Sequence, residues 1–218
     1  MAANAEGAVP EGLEREWWLR AIAVLPAPVS VFAALRDESD EAAAAREEPV
    51  LALTLLAGIA GVLATPTVGN LLDDPLRDAL VVAVIMFLAG GLYGLATYWL
   101  GGGALAIGIR SAGGVGSYRQ ARHVLAYAAA PVALSLFLVW PLRLAAYGGD
   151  LFRDGGADER GAARWIFEAG ELAFFAWAAV LLVLGVKTVH DWPVVRSLGA
   201  LALAGLALIC FALVFALV

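Results

Sequence analysis

Long uncharged stretches alternate with short polar segments along this chain. A helix needs about 20 apolar residues to cross the roughly 30 Å hydrocarbon core of a bilayer, and five stretches reach that length. The pattern therefore predicts an all-α membrane protein, a bundle of five transmembrane helices within a domain at residues 49–218. The predicted spans cover residues 49–72, 79–109, 124–146, 165–190 and 197–218.

Two of these spans depend on how particular residues are interpreted. The second is longer than a bilayer requires, so tilt, a break or an extension into water must take up the excess. The consecutive glycines at 101–103 are the obvious place for a break, since glycine weakens a helix. The fourth requires Glu168, Glu171 and Lys187 to lie at helix ends. Arg164 precedes Glu168 by four residues, a spacing that predicts an ion pair on one helix face. The alternative for the two glutamates is a polar mouth of a membrane pathway.

Residues 1–48 form a separate region without a stretch long enough to span. Apolar residues such as Trp17, Trp18 and Phe32 alternate there with charges. This pattern predicts a short amphipathic region in the membrane interface, cytoplasmic and acidic, ahead of the bundle. Packing of the tryptophans against the membrane domain is an equal alternative. Residues 37–48, DESDEAAAAREE, are expected to be a solvated connector.

Composition agrees with a membrane protein and excludes one class of partner. Hydrophobic residues make up 62% of the chain, charged residues 16%, and the mean hydropathy is +0.83. The formal net charge of −6 belongs to tails and loops. Because phosphate backbones need clustered Lys or Arg and the basic residues here are dispersed, no nucleic acid partner is expected.

The distribution of Lys and Arg predicts the orientation. Cytoplasmic segments of multi-span proteins carry an excess of these residues. We expect the N-terminus inside and the C-terminus outside a plasma membrane. This orientation places nine of the 14 basic residues in inner segments. The inner set is Arg15, Arg20, Arg36, Arg46, Arg110, Arg119, Arg122, Lys187 and Arg196, and the outer set is Arg77, Arg143, Arg153, Arg160 and Arg164.

The sequence contains no constellation that indicates catalysis. Cys210 is the single cysteine, and the two histidines, His123 and His190, are not in a HExxH arrangement. No catalytic residue, metal site or cofactor is therefore expected.

Candidate contact residues lie mainly on the predicted cytoplasmic side. Basic and aromatic side chains at a membrane interface bind anionic headgroups or a partner protein, and the segment RSAGGVGSYRQARHV combines glycines with several basic residues. Contact with lipid headgroups is the simpler interpretation, and a specific anion or partner site is the alternative. The candidates for lipid or partner contact are Trp17, Trp18, Arg110, Arg119, Arg122, His123, Lys187 and His190.

Three local patterns together resemble the Yip family (Ypt-interacting, Rab-associated membrane proteins), in its prokaryotic branch. They are LPAPVSVFAALRD before the first span, SYRQARHVLAYAAAP at the third, and WAAVLLVLGVKTVHDWPVVRSLGAL at the fourth and the following loop. The resemblance covers roughly residues 20–218. It implies a cytoplasmic N-terminus, five spans and no enzymatic activity.

Together these features predict a non-enzymatic scaffold or partner-binding protein that organises a membrane. Its expected partners are membrane lipids and other membrane proteins, in homo- or hetero-oligomers. The arginine- and alanine-rich composition is typical of a prokaryote, so no small GTPase partner is expected. The alternative function is a small transporter, channel or lipid-handling protein. An ion or proton pathway usually carries ionisable residues at mid-membrane, which these spans lack, but a lipid pathway would not need them.

Overall fold

Helices make up all the regular structure that is described. The computed structural model describes residues 11–65, 79–152 and 156–216, and no β-strand occurs within these ranges. The all-α prediction is confirmed for them. The helices are α1 (Glu11–Ala23), α2 (Pro28–Ala34), α3 (Asp40–Ala45), α4 (Glu47–Leu63), α5 (Ala79–Ala96), α6 (Gly102–Ser111), α7 (Tyr118–Ala128), α8 (Ala130–Tyr147), α9 (Gly161–His190) and α10 (Val194–Ala216). A π-helical turn at Thr97–Gly101 joins α5 to α6, and 3-10 turns cover Gly148–Phe152 and Ala157–Glu159.

Four helical segments among the described residues are long and apolar enough to cross a membrane. They contain 32, 30, 30 and 21 residues, at least the roughly 20 that a span requires. Their outward faces carry many exposed large apolar side chains, as lipid contact requires. These segments agree with the second to fifth predicted spans and cover Leu80–Ser111, Tyr118–Tyr147, Gly161–His190 and Val194–Val214.

The first predicted span, 49–72, is described only in its first part. Helix α4 covers 17 residues, close to the lower limit of a transmembrane helix. Residues 66–72 lie outside the described residues. The count of five spans therefore stays a prediction.

The second span does not break at its glycines. The helix runs on through Gly101–Gly103 and changes only its hydrogen-bonding period, with a π turn at Thr97–Gly101. The expected break is wrong because neighbouring helices pack tightly at this segment. A Cβ on Gly102 would lie 3.2 Å from Cα of Arg122, and one on Gly108 would lie 2.8 Å from the backbone nitrogen of Ala204. These glycines therefore allow close helix approach.

The third span begins six residues earlier than its predicted first residue, and its helix is interrupted at Ala129. Ser117 caps its start by accepting a hydrogen bond of 3.0 Å from the backbone N–H of Gln120. Helix α7 ends at Ala128 and α8 begins at Ala130, with Pro131 at its first turn. Proline lacks the N–H that would continue the α7 ladder. Arg119, Arg122 and His123 consequently lie on a helix and not on a loop.

Small residues set the spacing of α4 and α5. Added Cβ atoms on Gly58 and Gly94 would collide with the facing backbone, and one on Gly90 would lie 2.5 Å from Cα of Ile59. The Gly90xxxGly94 pattern, which also matches a dimerisation motif, is therefore used for packing within this chain.

Candidate lipid and partner interface

Trp17 attaches the first helix to the bundle. Its side chain is 1% exposed, and its ring centroid lies 5.9 Å from that of Tyr127 on α7. The guanidinium groups of Arg20 and Arg46 stand 4.5 and 5.1 Å from the same centroid, within the range of a cation–π contact. Trp18 lies on another side of α1 and is 44% exposed. The two adjacent tryptophans thus have different surroundings, and lipid or partner contact by either stays a prediction.

Arg46 is a buried charge within the acidic run. It is 1% exposed, and its Nη2 donates a hydrogen bond of 2.8 Å to the carbonyl of Asp37. Burial lowers the pKa of Arg46, but a guanidinium still keeps its charge at neutral pH. Ala42, Ala43 and Ala45 of α3 are also buried. The expectation of a solvated connector is therefore wrong, because one face of α3 packs against the protein.

Helix α2 docks on α9 through Phe32. Phe32 and Leu35 are fully buried. Gly185 of α9 makes the contact possible, since a Cβ there would lie 2.9 Å from Cε1 of Phe32. The carbonyl of Leu35 accepts a buried hydrogen bond of 3.0 Å from Nε2 of Gln120 on α7. Residues of the N-terminal region are thus held by two of the membrane-spanning segments.

The start of α7 is tied to the segment between α2 and α3. Arg119 makes an ion pair of 3.0 Å with Asp40 and donates a hydrogen bond of 2.8 Å to the carbonyl of Glu38. The Ser117 hydroxyl donates to the carboxylate of Glu38. Arg119 therefore has local partners already.

Arg122 has aromatic neighbours on three sides. Its guanidinium carbon lies 4.0, 4.6 and 5.0 Å from the ring centroids of Trp99, Tyr118 and Tyr98. Its buried Nε has no hydrogen-bond partner among the described residues. His123 is 3% exposed, and its Nδ1 likewise has none within those ranges. Two polar side chains with unused hydrogen-bonding atoms thus lie at neighbouring positions.

Three other candidate contact residues lie away from Arg122 and His123. Arg110 at the end of α6 and Lys187 on α9 are exposed. His190 is half-buried and stacks on Trp192, with ring centroids 4.9 Å apart. The structure therefore brings together Arg119, Arg122 and His123, and places the other candidates elsewhere.

Two cavities adjoin at Tyr98. One has a volume of about 410 Å³ and mixes charged with aromatic side chains. The other, about 400 Å³, lies between α4, α5, α7, α8 and α9 and is mainly apolar. The mixed cavity is lined by Asp40, Ala43, Ala44, Glu47, Val50, Leu51, Leu95, Tyr98, Trp99, Arg119, Arg122 and His123. The apolar cavity is lined by Thr54, Ala57, Gly58, Gly61, Ala64, Thr65, Tyr93, Gly94, Thr97, Tyr98, Leu125, Ala126, Ala129, Val132 and Phe175.

An ion cluster that sequence reasoning missed joins α8 to α9. Arg143 pairs with Glu171 at 2.6 Å and approaches Asp158 at 3.8 Å, and all three side chains are mostly buried. The predicted pair of Arg164 and Glu168 is confirmed, at 2.6 Å. Glu171 is thus neutralised by a residue on another helix, which spacing along one helix could not show.

The described residues hold no group of three or more His, Cys, Asp or Glu side chains that could bind a metal ion. The described side chains near Arg122 are suited to binding a ligand. Guanidinium and imidazole N–H groups donate hydrogen bonds to an oxyanion, and carboxylates accept them from an ammonium group.

Comparison with known proteins gives a match over most of the chain. A family model described as the Yip1 domain matches residues 22–217. A search of curated proteins and a search of solved structures gave no significant match. The matched range includes only the last two residues of α1, but it contains the docked α2, α3 and the bundle.

The two tryptophans of α1 allow a matched test of docking. We expect Trp17→Ala to lower the free energy of unfolding by about 3–5 kcal/mol, because it empties a buried aromatic site. Trp18→Ala should change it by no more than about 0.5 kcal/mol, as is usual for an exposed position. Denaturant unfolding in detergent micelles, followed by circular dichroism, measures both. Equal losses in the two variants would contradict the assignment of Trp17 as the docking residue.

Proposed function

The chain belongs to the Yip1 domain family, and on that basis we propose that it works as an integral membrane scaffold, which binds partner membrane proteins and lipids and catalyses no reaction. Proteins of this family are generally non-enzymatic membrane proteins. The proposed role is to organise the membrane around the bundle, in homo- or hetero-oligomers.

The docked N-terminal region is the observation that carries this proposal. Trp17 and Phe32 hold α1 and α2 on the bundle, so their outer faces form an ordered surface. That surface is apolar in places where a soluble protein would be polar: Trp18, Leu19, Ile22 and Val29 are 44, 59, 71 and 57% exposed. Contiguous exposed apolar groups of this kind mark contacts with proteins or membranes. We assign this surface to a partner membrane protein.

A pathway for ions or protons fits the spans less well. The buried ionisable side chains of α8 and α9, Arg143 and Glu171, neutralise each other. Lys187 and His190 lie near the other end of α9, in its last turn. The alternative of a transporter or lipid-handling protein keeps one supporting observation, the apolar cavity beside α4 and α5.

We further propose that the protein resides in the plasma membrane of a prokaryote, with its N-terminus in the cytoplasm and its C-terminus outside. The excess of Lys and Arg in the segments on the N-terminal side supports this orientation. In this arrangement α1–α3 and the loop between α6 and α7 are cytoplasmic. In a prokaryote, the proposed role does not require a small GTPase as a partner.

Cysteine labelling tests the orientation. In a Cys210→Ala background, we expect Ser111→Cys to react with a membrane-impermeant maleimide only after cells are permeabilised, and Arg160→Cys to react in intact cells. Both native side chains are exposed, so accessibility depends on the side of the membrane. The reverse pattern would show that the proposed orientation is wrong.

Site-specific photo-crosslinking in native membranes tests the scaffold. We expect a photoreactive amino acid at Ile22, on the exposed apolar surface, to give a discrete adduct with a membrane protein or a second copy of the chain. The same probe at Glu16, an exposed and ion-paired position of the same helix, should give none or far less. Absence of an Ile22 adduct, or protein-dependent ion flux in reconstituted liposomes, would overturn the scaffold proposal.

A further inference from the structure

Arg122 is a cation held in place without an anion. Three rings stand within 5.0 Å of its guanidinium carbon, so the planar group is fixed by cation–π contacts. It makes no hydrogen bond or ion pair with any residue within the described ranges. Arg119, three positions earlier on α7, has its anionic partner in Asp40. A fixed guanidinium with free N–H donors is the arrangement that binds phosphate.

His123 supplies a second donor to the same cavity. It is 97% buried, since its exposed fraction is 3%, and its Nδ1 has no partner in the part of the chain that the structure describes. A buried imidazole without a partner is costly, because each polar atom removed from water needs a hydrogen bond. A phosphate oxygen in the cavity would provide an acceptor to Arg122 and His123 together.

The mixed cavity also contains one carboxylate without a cationic partner. Asp40 and Glu47 both line it, but Asp40 is paired with Arg119 at 3.0 Å, whereas Glu47 makes no ion pair with any residue that the structure describes. A ligand with phosphate alone would leave Glu47 unpaired. A ligand carrying both a phosphate and an ammonium group provides partners for Arg122 and for Glu47.

The adjoining apolar cavity has the direction and length of a lipid chain. Tyr98 lines both cavities. Along α4 and its C-cap the lining of the apolar cavity advances ten positions, from Thr54 to Ala64, roughly 15 Å at about 1.5 Å per residue. Its lining on α7 and α8 advances in the same sense, from Leu125 to Val132. A distance of about 15 Å is half of a roughly 30 Å hydrocarbon core, the depth of one leaflet.

We propose that the two cavities bind one zwitterionic phospholipid. Its phosphate lies at Arg122 and His123, its ammonium group faces Glu47, and one acyl chain occupies the apolar cavity. The site lies at the cytoplasmic side in the proposed orientation. It goes beyond the scaffold role, since lipid bound between helices is a structural ligand and partner binding at Ile22 does not require it.

Native mass spectrometry of the purified full chain in detergent, titrated with a phosphatidylethanolamine, tests the proposal. We expect one tightly bound lipid per chain, and a roughly 10- to 100-fold loss of affinity in Arg122→Gln, because the bonds to a charged phosphate are removed. Arg160→Gln, at an exposed arginine before α9 and outside the cavity, is the matched control and should bind as the native protein does. Equal binding by Arg122→Gln and the native protein would overturn the proposal.

Gly61→Leu tests the acyl chain independently of the headgroup. A Cβ on Gly61 would meet Cε1 of Tyr93 at an ordinary 3.5 Å, so the substitution fills the apolar cavity without a backbone collision. We expect weaker lipid binding with an unchanged helix signal in circular dichroism. If Arg122→Gln does not fold, Gly61→Leu still tests whether a lipid binds. Undiminished lipid binding by Gly61→Leu would contradict the proposal.

Other ligands identify the source of the phosphate. Inorganic phosphate and glycerophosphoethanolamine, which have no acyl chains, should bind far more weakly than the lipid. Phosphatidylglycerol, which lacks the ammonium group, should bind several-fold more weakly. If a soluble phosphate competes as well as the lipid, the site is an anion site and not a lipid site. Equal affinity for the two lipids would overturn the assignment of Glu47 as the partner of the ammonium group.

Discussion

The docking of α1 and α2 onto the membrane bundle is the constraint on which the rest of the structure depends. Trp17 is enclosed by Arg20, Arg46 and Tyr127, and Phe32 rests against Gly185. Burying a tryptophan removes about 150–250 Å² from water, worth roughly 4–6 kcal/mol at about 25 cal/mol per Å². That is enough to hold a short helix that would be marginal alone.

Docking also places the charged wall of the mixed cavity. Asp40, Ala43 and Ala44 belong to α3, which follows α2 closely, while Arg122 belongs to α7. The cavity between them exists only if α3 is held against the bundle. Arg46 contributes to this at a cost, since a buried guanidinium needs partners. Trp17 and the Asp37 carbonyl supply two contacts, while Nε and Nη1 of Arg46 have no hydrogen-bond partner among the described residues. The proposed partner surface of α1 and the proposed lipid site thus share one structural origin.

Uncharged length was sufficient to predict most of the membrane segments, because lipid imposes that requirement on the sequence directly. The pair of Arg164 and Glu168 was predictable for a similar reason, since it lies within one helix. Contacts between distant segments were not. Glu171 and Arg143 are 28 residues apart. Nothing in the local pattern distinguishes Trp17 from Trp18, and their difference arises only when α7 is in place.

The candidate site shows the same division. Contact residues were predicted just before the third span, at Arg119, Arg122 and His123, and the structure places all three on one cavity. Their partners came from elsewhere: Trp99 and Tyr98 lie in a π turn of the preceding span, in a stretch where a break was expected close by. The burial of Arg46 could not be predicted, because it lies in an acidic, alanine-rich run. Alanine occurs on both buried and exposed helix faces, so this run was expected to be solvated.

Hydrogen–deuterium exchange of α2 in lipid nanodiscs, with Gly185 replaced by leucine, tests the docking most directly. A leucine side chain at this position of α9 would occupy the space of Phe32, whereas Gly170 of the same helix has nothing within 4 Å of an added Cβ. The account predicts slow exchange of the α2 amides in the native protein and in Gly170→Leu, and much faster exchange in Gly185→Leu with α10 unchanged. Exchange of α2 that does not respond to Gly185→Leu would show that lipid, and not the bundle, holds this helix.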